Sequence, residues 1–435
     1  LRAVQALRKK KSEQRIPIGQ ALPLVEVILE QLRNVPGLKN LAAAGSLRRF
    51  QETVGDIDLM GTADDPAAVI SAFTGLPQVK QVLGRGTTKA SVIADADLKV
   101  DLRLVEHDAF GSLLQYFTGS KQHNINLRER ARRLGLSLSE YGITVLDSGK
   151  LEKFATEEGF YTRQGLDWIP PEIREGGPEI ELAERRGLPR LIEPADIRGD
   201  LHVHTDWSDG RNSIAEMARA ACDRGYEYIG IADHTFGRGI ARGLDAARLE
   251  KQTETITRLN QEPGGIRILS GSEVDIRADG ALDLPDDILA RLDFVIAGVH
   301  SSLNQSQEKI TERLIKALAN PHVDILAHPT GRQLPDREPS AIDMETLFRA
   351  AARNRTILEI NAMPNRLDLK DTHVMRAREL GVKLIISTDS HGAEQLGTLR
   401  FGTGVARRAW CRRQDIVNTW PVDDLLAYLR ERSER

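Results

Sequence analysis

The stretch DLHVHTDWSDG, residues 200–210, decides how the second half of this chain is read. An apolar strand here ends in two histidines at alternate positions, and Asp209 follows five residues after the second. Residues two apart on a strand project to the same side, so His202 and His204 present both imidazoles to one face of a sheet. That arrangement suits a metal ion, and it equally suits a solvated or hydrogen-bonded pair of histidines. The sequence around it has to choose.

Beyond residue 198, short apolar runs recur, each followed by a helical segment: 201–205, 228–232, 266–274, 294–299, 323–327, 356–360 and 382–387. Strand followed by helix in this repetition argues for a parallel α/β barrel, whose chemistry lies at the C-terminal ends of the strands. Six of the seven runs deliver a candidate ligand there. The first gives His202, His204 and Asp209, the second His234, the third Glu273, the fourth His300, the fifth His328 and the seventh Asp389 with His391. The sixth offers only Glu359 and Asn361. Six of the ten histidines fall at these places, which favours the metal reading. Arg238 and Arg332 follow ligand-bearing loops and are candidates for holding a phosphate, with an ordinary loop charge as the alternative. Asp233 and Asp275 flank ligands and read as groups that orient them.

The first half carries a different chemistry. Residues 18–33 form an amphipathic helix with Leu22, Val25, Ile28, Leu29 and Leu32 on one stripe. In LAAAGSLRRFQETVGDIDLM, residues 41–60, a Gly-Ser turn with Arg48 and Arg49 fits a phosphate, and Asp56 and Asp58 lie on one strand face with Ile57 on the other. Asp101, in the alternating strand KVDLR, supplies a third carboxylate. Three aspartates without histidine make an all-oxygen site of the kind Mg²⁺ prefers, and the wet face of an edge strand has the same pattern. Arg85 and Lys89 read as part of a solvated hairpin.

With YFTGS (116–120), Asn124, Arg128 and SEYG (139–142), this half resembles the family X DNA polymerases. The resemblance covers about residues 15–167. It implies a nucleotidyltransferase-like palm and a thumb, with Asp56, Asp58 and Asp101 as catalytic ligands of Mg²⁺ and Asp101 as acceptor of the primer hydroxyl's proton. Ser46 and Arg49 would bind nucleotide phosphates, Tyr116, Phe117 and Gly119 the sugar, and Asn124 and Arg128 the nascent base pair and template. The second half resembles the PHP (polymerase and histidinol phosphatase) domain over about residues 199–420. That implies a distorted (β/α)7 barrel whose metal ligands are His202, His204, Asp209, His234, Glu273, His300, His328, Asp389 and His391. Three divalent ions, Mn²⁺, Zn²⁺ or Fe, would sit among them, with Glu273 the best bridging carboxylate.

The expected fold is therefore multidomain, α+β followed by α/β. Residues 1–33 are expected to be a remnant of the fingers, 34–111 the palm, 112–167 the thumb, 168–198 a Pro- and Gly-punctuated linker, and 199–435 the PHP domain. The net charge of −3 hides a gradient: residues 1–133 hold 20 Lys and Arg against 14 Asp and Glu, which fits a polyanion partner. No apolar run approaches the roughly 20 residues of a membrane span. Two distant cysteines fit a reducing compartment, so a bacterial cytoplasmic protein working at the nucleoid is expected. The start at Leu1, without an initiator Met, suggests a fragment that lacks the helix-hairpin-helix and 5'-phosphate-binding region. The functional expectation is a monomeric gap-filling DNA repair polymerase that takes deoxynucleoside triphosphates and gapped or primed duplex, joined to a 3'-5' exonuclease. The alternatives are a PHP-type small-molecule phosphatase and a polymerase with a purely structural barrel.

Overall fold

The structure, a computed structural model, describes residues 15–237 and 241–433. Arg238 and the first 14 residues of the expected fingers remnant lie outside the described residues. The chain divides into two compact units, Leu1–Pro189 and Arg190–Arg435.

In the first unit, helix α1 (Ile18–Arg33) buries Ile18, Ala21, Val25, Ile28 and Leu32, the three-and-four spacing of one helical face. A five-stranded sheet follows, built from β1 (Leu38–Ala43), β2 (Asp56–Ala63), β3 (Val79–Arg85), β4 (Lys89–Ala94) and β5 (Lys99–Val105), in the order β1-β2-β5-β4-β3. Only the β2–β5 pair is parallel, and its register sets Asp56 opposite Lys99 and Asp58 opposite Asp101. Alternation in β5 buries Val100, Leu102 and Leu104 and turns Lys99, Asp101 and Arg103 to the other face. The short α2 (Gly45–Arg48) follows β1, and α3 (Phe110–Thr118) packs Leu113 and Leu114 on Ala44 and Met60. Helix α4 (Lys121–Arg133) is capped by Ser120, whose hydroxyl accepts from His123 N at 3.2 Å. A small antiparallel sheet spans Leu136–Ser139, Gly142–Val145 and Leu151–Glu152.

The stretch expected to be a linker differs from that expectation up to Pro189, where it belongs to the core of the first unit. Ile169, Arg174 and Glu179 are fully buried. Arg174 donates to Ile169 O at 2.8 Å and forms a two-pronged ion pair with Glu157, at 2.7 and 3.0 Å. Arg48 grips the same carboxylate at 2.8 and 2.7 Å. Proline and glycine marked where the backbone turns, and these ion pairs hold it down.

The second unit is a barrel of seven strands, β6 (Gly199–Val203), β7 (Tyr228–Ile231), β8 (Arg267–Asp275), β9 (Phe294–Gly298), β10 (Ile325–Leu326), β11 (Ile357–Asn361) and β12 (Leu384–Ser387). They pair in sequence order, all parallel. Ser390, just past β12, donates to His202 O at 3.2 Å and accepts from His204 N at 2.8 Å, which draws the last strand to the first. Helices alternate with the strands, several opened by side-chain caps such as the Ser213 and Glu216 capping box. Residues early in the strands, among them Leu201, Leu269, Ile325, Ile357 and Ile385, cluster with Leu425, Leu426 and Leu429 of the last helix, Val422–Ser433. Among the described residues no helix is long and apolar enough to cross a membrane.

Candidate functional site

At the C-terminal ends of the barrel strands, the nine side chains singled out in sequence draw together, five of the histidines around Glu273. Its Oε1 lies 3.0 Å from both His300 Nε2 and His328 Nε2. Its Oε2 lies 2.9 Å from His234 Nδ1, 3.4 Å from His202 Nε2 and 3.6 Å from His204 Nε2. Asp389 Oδ1 stands 3.2 Å from His204 Nε2 and 3.5 Å from His202 Nε2. Asp209 approaches His391 Nε2 at 3.4 Å and His234 Nε2 at 3.7 Å. The ligand atoms fall into three overlapping groups, each within 4.8 Å: His204, Asp209, His234 and His391; His202, His204 and Asp389; His234, Glu273 and His300. Gly298 makes room for this, since a Cβ there would stand 2.7 Å from Glu273 Oε1.

The cluster fits cations. His202 Nε2, His204 Nδ1, Glu273 Oε2 and His328 Nδ1 are buried without a hydrogen-bond partner, an expensive state for polar atoms that a bound ion would relieve. Burial, then the neighbouring His391 and His234, pushes His204 down to about 3, so it is a neutral imidazole with a lone pair to give. Burial opposes charge on Glu273, yet His300, His234 and His202 hold its carboxyl well below the usual range. Other residues fix the ligands. Asp275 Oδ1 lies 2.9 Å from His300 Nδ1, and Asp233 accepts from Thr205 N at 2.7 Å and from Gln252 at 2.6 Å, pinning the loop after β6.

In the first unit, Asp58 and Asp101 are neighbours across β2 and β5, with Asp56 two residues before Asp58. Burial, then Asp56 and Asp101, pushes Asp58 up to about 6. Carboxylates crowded in this way call for a cation, and an all-oxygen set suits a hard one. Lys99 Nζ lies 2.5 Å from Asp101 Oδ2, and Ser91 also donates to Asp101. Gly45 takes φ +62°, where a side chain is strained, and a Cβ there would stand 2.9 Å from Asp58 Oδ2 and displace that carboxylate. A cleft of about 400 Å³ joins Asp58 and Asp101 to Arg85, Lys89, Lys99, Arg103 and Phe117, so the hairpin cations read as solvated face the carboxylates.

Among the other nucleotide contacts expected from the resemblance, Arg49, Asn124 and Arg128 have protein partners here. Arg49 donates to Thr118 O at 2.5 Å and to Glu175 at 3.1 Å. Asn124 donates to Tyr116 O at 2.8 Å and accepts from Gln115 at 2.9 Å, while Arg128 Nε donates to Asn124 O at 3.1 Å. Tyr116 and Phe117 meet edge to face, with centroids 5.4 Å apart. Gly119 takes φ +70° at the end of α3, and Ser46 lies in α2.

A family model described as DNA polymerase beta thumb matches residues 113–175, and one described as PHP domain matches residues 200–362. The chain is 44% identical to the DNA polymerase/3'-5' exonuclease PolX of Bacillus subtilis over 97% of its own length and 74% of that protein. The chain belongs to the PolX family. Probable phosphatases are also similar: one of Thermoanaerobacter sp. at 31% identity and one of Acetivibrio thermocellus at 32%, each covering 54% of this chain and 96% of the relative.

Within this PolX-family chain, sequence reasoning left Glu359 and Asn361 without a role at the barrel site and missed Asp200 and Arg366. Glu359 is fully buried and accepts from His202 Nδ1 at 2.7 Å and from His328 N at 2.6 Å, and Asn361 Nδ2 donates to both Glu359 and Asp389, at 3.2 and 3.1 Å. The signal was in LEINA: two polar residues on the same face of an otherwise apolar, buried strand. Asp200 is buried and accepts from His202 N at 3.1 Å and from the Thr388 hydroxyl at 2.5 Å, which ties β6 to β12. Arg366 Nε lies 3.4 Å from Asp389 Oδ2, brought there by a loop that no spacing rule would bend inward. Arg332 instead anchors that loop, donating to Arg366 O at 2.9 Å and to Leu367 O.

Proposed function

We propose that the first unit adds deoxynucleotides to a primer 3'-end across a short gap, directed by the template, and that the second unit hydrolyses DNA 3'-ends as a metal-dependent 3'-5' exonuclease. The observation that carries the reading is the cluster of six histidines and three carboxylates, with five of the histidines around Glu273, in a barrel joined to a family X polymerase unit. The probable phosphatases cover only about half of the chain, which weakens the reading of the whole as a small-molecule phosphatase. A purely structural barrel is disfavoured by the buried ligand atoms that lack partners.

In this reading residues 34–111 are the palm, 112–167 with the match up to 175 the thumb, and 199–435 the PHP domain. Asp56, Asp58 and Asp101 would hold Mg²⁺, and the nine barrel ligands three ions of Mn²⁺, Zn²⁺ or Fe. Divalent cations, when bound, neutralise phosphate oxygens and lower the pKa of a neighbouring hydroxyl or water. The chain's own residues do the rest. Asp101, next to Lys99, takes the primer hydroxyl's proton as it attacks the α-phosphate. Gly45 lets the phosphate turn approach the carboxylates, and Ser46 with Arg49 contacts the triphosphate after Arg49 leaves Glu175. In the barrel, Glu273 bridges the histidine groups, while Asp275 and Glu359 hold His300 and His202 in the tautomer that offers Nε2 to a cation. The partners are gapped or primed DNA and deoxynucleoside triphosphates, and the protein works as a monomer on bacterial DNA in the cytoplasm.

The test is gel-resolved extension and digestion of a labelled gapped primer, beside turnover of histidinol phosphate. Extension with Mg²⁺ and stepwise 3' shortening with Mn²⁺, without turnover of the metabolite, are expected. Turnover of the metabolite alone defeats the reading, and extension without digestion by Mn²⁺-loaded protein leaves the barrel a scaffold.

A further inference from the structure

A cleft of about 460 Å³ is lined by Ser302, Leu303, Asn304, Gln305 and Arg337. Two loops that each begin at a candidate ligand form it. Ser302 stands two residues beyond His300, and Arg337 Nε donates at 2.7 Å to Gly331 O, whose own N–H donates at 2.9 Å to His328 O. The cleft is thus built on the loops that leave His300 and His328.

Its walls are fixed from behind. Arg313 donates to Ser301 O at 2.9 Å and to Gln305 Oε1 at 3.3 Å, and Gln305 Nε2 donates to Ala278 O at 3.2 Å. The Ser340 hydroxyl donates to Leu303 O at 3.1 Å, and the Leu303 side chain seats on Gly331, 2.9 Å from where a Cβ would stand. A cleft held open in this way costs little to order when a ligand enters. The Ser302 hydroxyl and the Asn304 amide, both on exposed residues, make no hydrogen bond to protein among the described residues, and the exposed Arg337 brings a guanidinium beside them.

Cation, hydroxyl and amide over an apolar floor is the chemistry that grips a sugar-phosphate without reading its base. We propose that this cleft binds the nucleotide next to the one being removed, so that it holds the remaining strand while the terminal phosphodiester lies at the cluster. The proposal rests on the 3'-5' exonuclease reading and deepens it. A free phosphomonoester has no second nucleotide to place here, so the cleft distinguishes a strand end from a metabolite.

The experiment compares two substrates in the Mn²⁺-loaded full chain. One is a labelled single strand, and the other is the p-nitrophenyl ester of thymidine 5'-monophosphate, a phosphodiester with no upstream nucleotide. The variants Arg337→Gln and Asn304→Ala should raise KM for the strand about tenfold each, as expected for losing one hydrogen bond to a charged group. Turnover of the ester, bound metal and nucleotide addition should stay at the wild-type level. Equal loss on both substrates, or no loss on the strand, overturns the proposal. Absence of strand digestion by the wild-type chain would instead overturn the exonuclease reading, and the two failures cannot be confused.

Discussion

Glu359 illustrates how one carboxylate is able to govern a site without belonging to the ligand set. It lies within the single barrel strand that brings no candidate ligand, two residues before that strand's end, and it is fully buried between His202 Nδ1 and the backbone of His328. A carboxylate in that place fixes the ring of His202 so that Nε2 faces Glu273 and Asp389. Partners of this kind are worth about 10- to 100-fold in metal affinity. Glu359→Ala should therefore lose metal on dialysis at a free concentration that leaves the wild-type chain loaded, as read by elemental analysis. Glu359→Gln keeps one acceptor and should retain an intermediate amount. Equal metal content in all three would show that His202 needs no such support. The clustering of the nine candidate ligands was legible because strand ends are marked by apolar runs, and a side chain at such an end needs only local geometry to reach its neighbours. Arg366 was not, since its approach to Asp389 depends on how Arg332 and Asp368 fold a loop: Arg332 holds two of its carbonyls, and Asp368 accepts from Thr330 N and Gly331 N at 2.9 Å each.

The elements of the first unit are held by charges placed in its interior. Helix α4 brings in His123, fully buried, with Nδ1 2.8 Å from Glu179 and Nε2 2.9 Å from the Tyr161 hydroxyl. Burial pushes the imidazole below its ordinary 6.5, and nearby Arg174 adds to this against the pull of Glu179 and Glu157. A histidine kept neutral in the fold is free to take a proton once unfolded. Its contribution to stability is thus complete above about pH 6.5 and is lost as pH falls below that value. The first unit's melting temperature should drop between about pH 7 and pH 5.5, and His123→Asn should flatten that slope. A variant with the wild-type slope would assign the pH response to other groups. Sequence periodicity gave α1 to the residue and all seven barrel strands to within a few residues. It misjudged residues 168–189 because proline and glycine report where the backbone turns and carry no information on burial. What buries this stretch is Arg174 meeting Glu157 across the unit, a pairing between residues 17 apart that no local pattern announces.

At the scale of the molecule, the chain holds two centres of opposite chemical character in two units. The first is hard and open, with three aspartates on adjacent parallel strands, two of which, Asp58 and Asp101, line a cleft that also carries Arg85, Lys89 and Lys99. The second is rich in imidazole and closed, with His202, His204 and Glu273 fully or almost fully buried. Carboxylate oxygens favour hard ions such as Mg²⁺ and imidazoles favour transition metals, so under the proposed function the two activities should separate by metal as well as by mutation. Asp56→Ala with Asp58→Ala removes two of the first unit's three clustered carboxylates and changes no residue of Arg190–Arg435. This double variant should lose nucleotide addition and keep stepwise digestion of a labelled primer. His202→Ala with His204→Ala should do the reverse, and it should also lose bound transition metal. Each is compared with the wild-type chain by melting temperature, because emptying a buried cluster weakens the barrel as well as its chemistry. Loss of both activities in either double variant with an unchanged melting temperature would mean that one centre serves both reactions. Selective loss would mean that a strand end is extended in one unit and shortened in the other, so the metal supplied decides which reaction a primer meets.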